Sequence, residues 1–212
     1  MTPSHSQIKK GEGLGAVLLA RLFATAGTPF KTTESLQLSW NNFRNTNLIL
    51  FGNSDTNSWL DPLLENYPYH LRTHQGANPR SIVIGNPAPG EQSEYFTEYP
   101  SVWNKRRLDY ALVSMLPGLD HDVKLLLVNG LNHYATQAAS EYLTTPGDVE
   151  TLLAHLRDAA GQREGPWFFQ LVLRVEVREG VPTHSTLAAL RVVKSRQDEP
   201  VSMSQAGSEQ SP

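Results

Sequence analysis

Two strand–turn–helix units, at 48–64 and 125–143, followed by a pair of alternating segments, predict an α/β domain. The expected form is three-layer and Rossmann-like, a mostly parallel sheet with a C-terminal antiparallel β-hairpin on one edge. The two units are legible because Leu48 to Phe51 and Leu125 to Val128 are uninterrupted apolar runs, the pattern of strands buried on both faces. Each run ends at a glycine-containing turn, Gly52 in the first and Asn129–Gly130 in the second. The hairpin is legible because Leu171, Leu173, Val175 and Val177 alternate with Val172, Arg174, Glu176 and Arg178, ahead of Glu179 and Gly180. Its return arm runs from Thr183 to Lys194. At 212 residues the chain suits one core, so the expected organisation is a flexible N-terminus over 1–10, a single domain over 11–194 and a disordered tail over 195–212.

The elements follow in order. Gly11 to Gly15 stands ahead of a first helix in which Val17, Leu18, Leu22 and Ala26 face inward and Arg21 and Thr25 outward, closed by Gly27 and Pro29. Lys9 and Lys10 before the apolar run to Phe23 resemble a secretory leader, but Arg21 within that run argues for the amphipathic helix. Leu36, Leu38 and Trp40 alternate as in a short strand or extended lead-in, with a polar loop over 41–47. Leu48 to Phe51 is then the expected central strand. Residues 53–58 supply N-caps for a short helix holding Trp59, Leu60, Leu63 and Leu64, which stops near Tyr67 and Pro68. Further strands are expected at 81–84, 94–99, 109–115 and 125–128. A helix over 133–143, interrupted by Pro146 and Gly147, gives way to a second one carrying Val149, Leu152, Leu153 and Leu156.

Composition narrows the functional classes. Eighteen basic against 21 acidic residues, for a net charge of −3, disfavour a binder of phosphate backbones, so no nucleic-acid contact is expected. The absence of cysteine removes disulfides, thiolate nucleophiles and cysteine-held metals. No run approaches the ~20 apolar residues that cross a bilayer, so no membrane contact and a cytoplasmic setting are expected. The sequence has neither the G-x-S-x-G turn of α/β hydrolases nor a phosphate-binding G-x-x-x-x-G-K-[S/T] loop. Gly11, Gly13 and Ala16 satisfy the dinucleotide fingerprint in form, but no hydrophobic strand precedes them, and the motif is rejected. His133, Gln137 and Glu141 on one helical face, and Asp120, His121 and Asp122 in a turn, are incomplete ligand sets; neither a metal nor a cofactor is expected. The basic run Lys105, Arg106 and Arg107 beside Trp103 could touch phosphates, but reads foremost as a solvated loop.

In parallel α/β sheets ligands bind at the carboxyl ends of the strands, which directs attention to the loops 52–58 and 129–134. Asn53, Ser54 and Asn57 in the first loop, and Gly130, Asn132 and His133 in the second, are the candidate ligand-binding residues. Backbone N–H groups, amides and a hydroxyl there suit a phosphate, carboxylate or sugar hydroxyl. The same residue types also cap helices without binding anything. Asp55 counts against a strongly anionic ligand unless it points away.

Four segments, GNSDTNSW at 52–59, DYALVSMLPG at 109–118, NGLNHYATQAASEYLTTP at 129–146 and WFFQLVLRVEV at 167–177, together resemble a poorly characterised bacterial α/β domain found C-terminally in larger proteins, some with winged-helix or cyclase-like annotation. The resemblance covers most of 11–194 and implies a regulatory or signalling context. Relatives commonly place Gly where this chain has Ala135, a methyl that would narrow a pocket built on bare backbone. With no upstream effector module in the chain as read, the output is expected to be lost or encoded separately. The functional expectation is a non-enzymatic small-molecule-binding or sensor domain of a bacterial regulatory system, with no catalytic residues. Two alternatives stay open. One is an enzyme acting on a nucleotide or glycosidic substrate, with Asp55 or Glu141 as acid/base and His133 assisting. The other is a scaffold joining a protein partner or a second copy through the hairpin edge.

Overall fold

Along 107–117 successive side chains serve two different cores. Tyr110, Leu112 and Leu116 enter one hydrophobic cluster, while Ala111, Val113 and Met115 enter the other. The same alternation recurs in 125–128 and 171–173, which makes these segments strands of a sheet covered on both faces. The computed structural model describes residues 8–53, 55–76, 79–100, 106–120 and 122–193. The expected tail over 195–212 lies outside the described residues, as does most of the expected flexible N-terminus.

In chain order the elements are helix α1 (Lys10–Thr25), a 3-10 turn (Ser35–Gln37), α2 (Trp40–Asn45), strand β1 (Leu48–Phe51), α3 (Leu60–Leu64), β2 (Tyr69–Thr73), β3 (Arg80–Ile84) and β4 (Glu94–Phe96). They continue with β5 (Arg107–Pro117), β6 (Lys124–Gly130), α4 (His133–Tyr142), α5 (Pro146–Ala159), β7 (Phe168–Arg178) and β8 (Val181–Val193). Five strands form one sheet in the order β1-β6-β5-β7-β8, and three form a second, β2-β3-β4. Among the described residues only β1 and β6 pair in parallel; β6–β5, β5–β7, β7–β8 and the whole second sheet are antiparallel.

The expected mostly parallel, Rossmann-like sheet is therefore overturned: this is an α/β fold with one mixed and one antiparallel sheet. The physical reason is that an apolar run reports burial on both faces and says nothing about strand direction. Here helices α1, α4 and α5 cover one face of the large sheet, while the small sheet with α2 and α3 covers the other. β6 and β7 do run the same way with α4 and α5 between them, but they flank β5, which runs opposite. β1 is likewise an edge strand and β5 the central one, reversing the expectation for 48–51.

Three local readings also change. Gly11 and Gly15 lie inside α1, not ahead of it, and with Leu19 they make its buried stripe. A Cβ on Gly11 would stand 1.8 Å from the His133 carbonyl oxygen, and one on Gly15 would stand 2.3 Å from Ser140 Oγ, so the glycines let α1 lie directly on α4. Val17 and Leu22, expected inside, are 62% and 45% exposed. The segment expected as a strand and polar loop at 36–47 is instead the 3-10 turn and α2, whose start is fixed by Ser39 N–H donating to Asn42 Oδ1 at 2.8 Å. Phe43 from α2 is fully buried against Trp59, which repays the coil-forming asparagines around it.

β2 has no counterpart in the sequence reading. Its Tyr69 is held by the side-chain amide of Gln170 on β7: Tyr69 N–H donates to Gln170 Oε1 and Gln170 Nε2 donates to the Tyr69 carbonyl, both at 2.9 Å. One amide thus imitates a strand and fastens the small sheet to the large one. Among the described residues no helix is long and apolar enough to cross a membrane.

Candidate functional site

β6 ends in Asn129 and Gly130, and the chain turns at once into α4. A Cβ at Gly130 would lie 2.3 Å from Thr136 N, so only glycine lets the helix start this close to the strand. Asn132 caps α4, its Oδ1 accepting from Tyr134 N–H at 2.9 Å and Ala135 N–H at 3.3 Å. The other end of that amide donates from Nδ2 to Asp109 Oδ2. The cap is therefore tied to the first turn of the central strand.

Asp109 is fully buried at the start of β5 and accepts from four donors. Thr97 Oγ1 at 2.9 Å and Tyr110 N–H at 3.1 Å reach Oδ1; Arg107 Nε at 3.1 Å and Asn132 Nδ2 reach Oδ2. Burial pushes its carboxyl up to about 6, against the opposing pull of Arg107 and the hydrogen bonds. Arg107 spends only Nε on Asp109, and its guanidinium lies 4.9 Å from the Tyr99 ring centroid and 5.4 Å from that of Tyr134. Among the described residues nothing hydrogen-bonds its Nη1 or Nη2.

A second arginine faces the first. Arg80, at the start of β3, donates from Nε to Asp55 Oδ2 at 2.9 Å and from Nη2 to the same oxygen, while Nη1 donates to the Leu131 carbonyl at 3.3 Å. Between the two lies a cavity of about 50 Å³ lined by Arg80, Thr97, Tyr99, Arg107, Leu131 and Asn132, together with Pro79.

Of the six residues expected to bind a ligand, Asn132 stands in this wall. Gly130 sits behind it, under α4. Asn53 and Asn57 are buried in their own loop: Asn53 Oδ1 accepts from Asp55 N–H at 3.1 Å, and Asn57 Nδ2 donates to the Phe51 carbonyl at 3.1 Å. Ser54 lies outside the described residues. The His133 ring lies 3.9 Å from that of Tyr134, tilted by 43°, and among the described residues its buried Nδ1 has no hydrogen-bond partner. Burial, then Arg107, Lys10 and Lys9, hold its pKa below the ordinary histidine value, so the ring is neutral at pH 7. Asn129 Nδ2 donates to the Gly52 carbonyl at 3.1 Å, while its Oδ1, also buried, has no partner among the described residues.

The carboxylates of the enzymatic alternative are otherwise engaged. Asp55 is engaged by Arg80, and Glu141 accepts from Gln137 Nε2 at 2.9 Å, two turns along α4 and about 12 Å of helix rise from His133. Among the described residues no three His, Cys, Asp or Glu side chains gather as metal ligands, and His121 of the second sequence cluster lies outside them. The basic run 105–107 is no simple loop: Arg107 begins β5 and Arg106 donates to Glu176 Oε1 at 2.8 Å, while Lys105 lies outside the described residues.

Sequence reasoning missed Arg80, Thr97 and Asp109 and set Arg107 aside as part of a solvated loop, because a mostly parallel sheet would run β5 alongside β1. That direction sends the start of β5 to the far end of the sheet, away from the loops 52–58 and 129–134. The available signal was Asp109 itself, a carboxylate opening a long apolar strand with an arginine two residues before it. Compared with protein-family models, with curated proteins and with solved structures, the chain matches none.

Proposed function

We propose that this chain is a non-enzymatic small-molecule-binding or sensor domain of a regulatory system, with its ligand seated at the Arg80–Arg107 cavity. The carrying observation is the convergence of four separate chain segments on that cavity, presenting two guanidinium groups, an amide and a hydroxyl at one end of the sheet. Asn132 is the contact from the α4 start, and Asn53, Asn57, Gly130 and His133 support the loops that frame it. The regulatory setting rests on the resemblance drawn from 52–59, 109–118, 129–146 and 167–177. Asp109, a carboxylate of raised pKa beside the cavity, favours the enzymatic alternative. Its complete burial under four donors opposes that reading, because no substrate proton reaches it.

Thermal unfolding against nucleotides, sugar phosphates, amino acids and simple anions tests the proposal. A ligand at 100 times its Kd stabilises by about 2.7 kcal/mol. A hit lost in Asn132→Ala protein that remains folded is the expected result. A flat panel on folded protein overturns it and favours the remaining reading, a protein partner or second copy at the exposed edge strand β8.

A further inference from the structure

The two arginines hold their internal carboxylates in different ways. Asp109 is fully buried, receives four hydrogen bonds and takes only Nε from Arg107. Asp55 belongs to the loop between β1 and α3, its side chain is 42% exposed, and it takes two donors from Arg80 at the rim. Asp109 is thus fixed behind the wall, and Asp55 is exchangeable. With both carboxylates in place the four charges cancel. With Asp55 turned out to water the cavity carries one net positive charge between two guanidinium groups.

We propose that the cavity binds a compact oxyanion, a carboxylate or phosphoryl group, on the unpaired Nη edge of Arg107, and that this group displaces Asp55 from Arg80. The proposal rests on the small-molecule reading above and assigns the ligand's chemistry. Three features support it. The Nη1 and Nη2 groups of Arg107 present a planar pair of donors, and stacking on Tyr99 and Tyr134 fixes their plane, the geometry that matches a carboxylate or phosphate in bidentate fashion. The volume of about 50 Å³ admits such a head group and not a nucleotide, so the rest of any larger ligand stays outside, toward the Asp55 rim. The exchange also supplies an output. Asp55 sits in the loop that leads into α3, and its ion pair with Arg80 ties that loop to the start of β3, so release of the side chain unties the loop from the small sheet.

The test is titration of the full chain with acetate and with inorganic phosphate at matched ionic strength, followed by backbone amide NMR, for wild type, Asp55→Asn and Arg107→Lys. Wild type is expected to show saturable shifts at Leu131, Asn132 and residues 55–57. Asp55→Asn, which lacks the competing charge, is expected to bind about fivefold tighter, the size of one rim ion pair. Arg107→Lys keeps a cation beside Asp109, so the fold survives, but loses the planar donor pair; it is expected to bind at least about tenfold weaker. The tighter of the two anions identifies the head group. Unchanged affinity in Asp55→Asn overturns the exchange, and an unweakened Arg107→Lys overturns the assignment to that arginine. Absence of saturable shifts with both anions overturns the oxyanion; a neutral hit in the thermal panel would then leave the small-molecule reading standing.

Discussion

Asp109 is pulled in two directions at once: removal from water favours its neutral form, while Arg107, Thr97, Asn132 and the Tyr110 amide favour the carboxylate. Burial wins, and the folded-state value of about 6 exceeds the ordinary aspartate value of 3.8. Between those values the native chain holds a proton that the unfolded chain has released, so this contribution to stability grows as pH falls from about 6 to about 4. Its full extent is about 3 kcal/mol, at 1.36 kcal/mol per pKa unit. A carboxyl-carbon NMR titration with a midpoint near 6, absent in Asp109→Asn, is the expected outcome. His133 works the other way. Its folded value lies below the unfolded 6.5, so its contribution is present above 6.5 and is lost on acidification. His133→Gln should therefore flatten the stability profile just below pH 6.5 in denaturant unfolding. At this scale the sequence disclosed Asn132, since an asparagine after a strand-ending glycine is a cap wherever it occurs. It hid Arg107 and Asp109, whose meaning depends on which way their strand runs.

Within α1 the three glycines have opposite significance. Gly11 meets the His133 carbonyl, whereas a Cβ on Gly13 would have only Ile8 Cγ2 nearby, at an ordinary 3.6 Å. Gly13→Ala is expected to stabilise by roughly 0.5–1 kcal/mol through helix propensity alone. Gly11→Ala forces α1 off α4 and is expected to cost roughly 1–3 kcal/mol. Chemical denaturation of the two variants checks both signs. The expectation that Val17 and Leu22 face inward failed for the same reason: the interface selects for close approach, which hydrophobicity does not report. Elsewhere the elements were well marked. Alternation identified β7 and β8, and the apolar runs identified β1 and β6, because a two-residue period and a glycine stop are local properties. β2 was invisible because its polar His70, Arg72 and Thr73 sit at a half-exposed edge and its pairing with β3 is a tertiary fact. β8 carries two register shifts, at Val172/Leu173 and Glu176/Val177 of its partner, and Pro182 near its start. Such irregularities blunt an open edge against pairing with another strand.

Sheet direction is where the sequence reading and the molecule part. Helices or a second sheet bury a strand equally well, so Leu125 to Val128 looks the same in a parallel and in a mixed sheet. The small sheet is bound to the large one through Gln170, and that junction is open to test. Gln170→Leu removes both partners of the buried Tyr69 backbone and is expected to destabilise by roughly 2–4 kcal/mol. Hydrogen exchange should show β2–β4 opening before β5 and β7 in that variant, while in wild type the two layers should exchange closer together.

The strand order β1-β6-β5-β7-β8 also orders events in time. β5 to β8 are consecutive in the chain and contiguous in the sheet, with α4 and α5 between β6 and β7, so 107–193 holds four strands and part of their helical cover without the segments before it. Everything before β4 ends, including α1, β1 and the small sheet, closes onto surfaces that this later half provides. Synthesis runs the opposite way. The segment before β5 leaves the ribosome earlier than the strands it packs on and holds Leu19, Phe43, Leu50 and Ile82 with those surfaces not yet made, so the nascent chain passes through a stage in which these side chains wait exposed, the stage at which a chaperone would have its substrate.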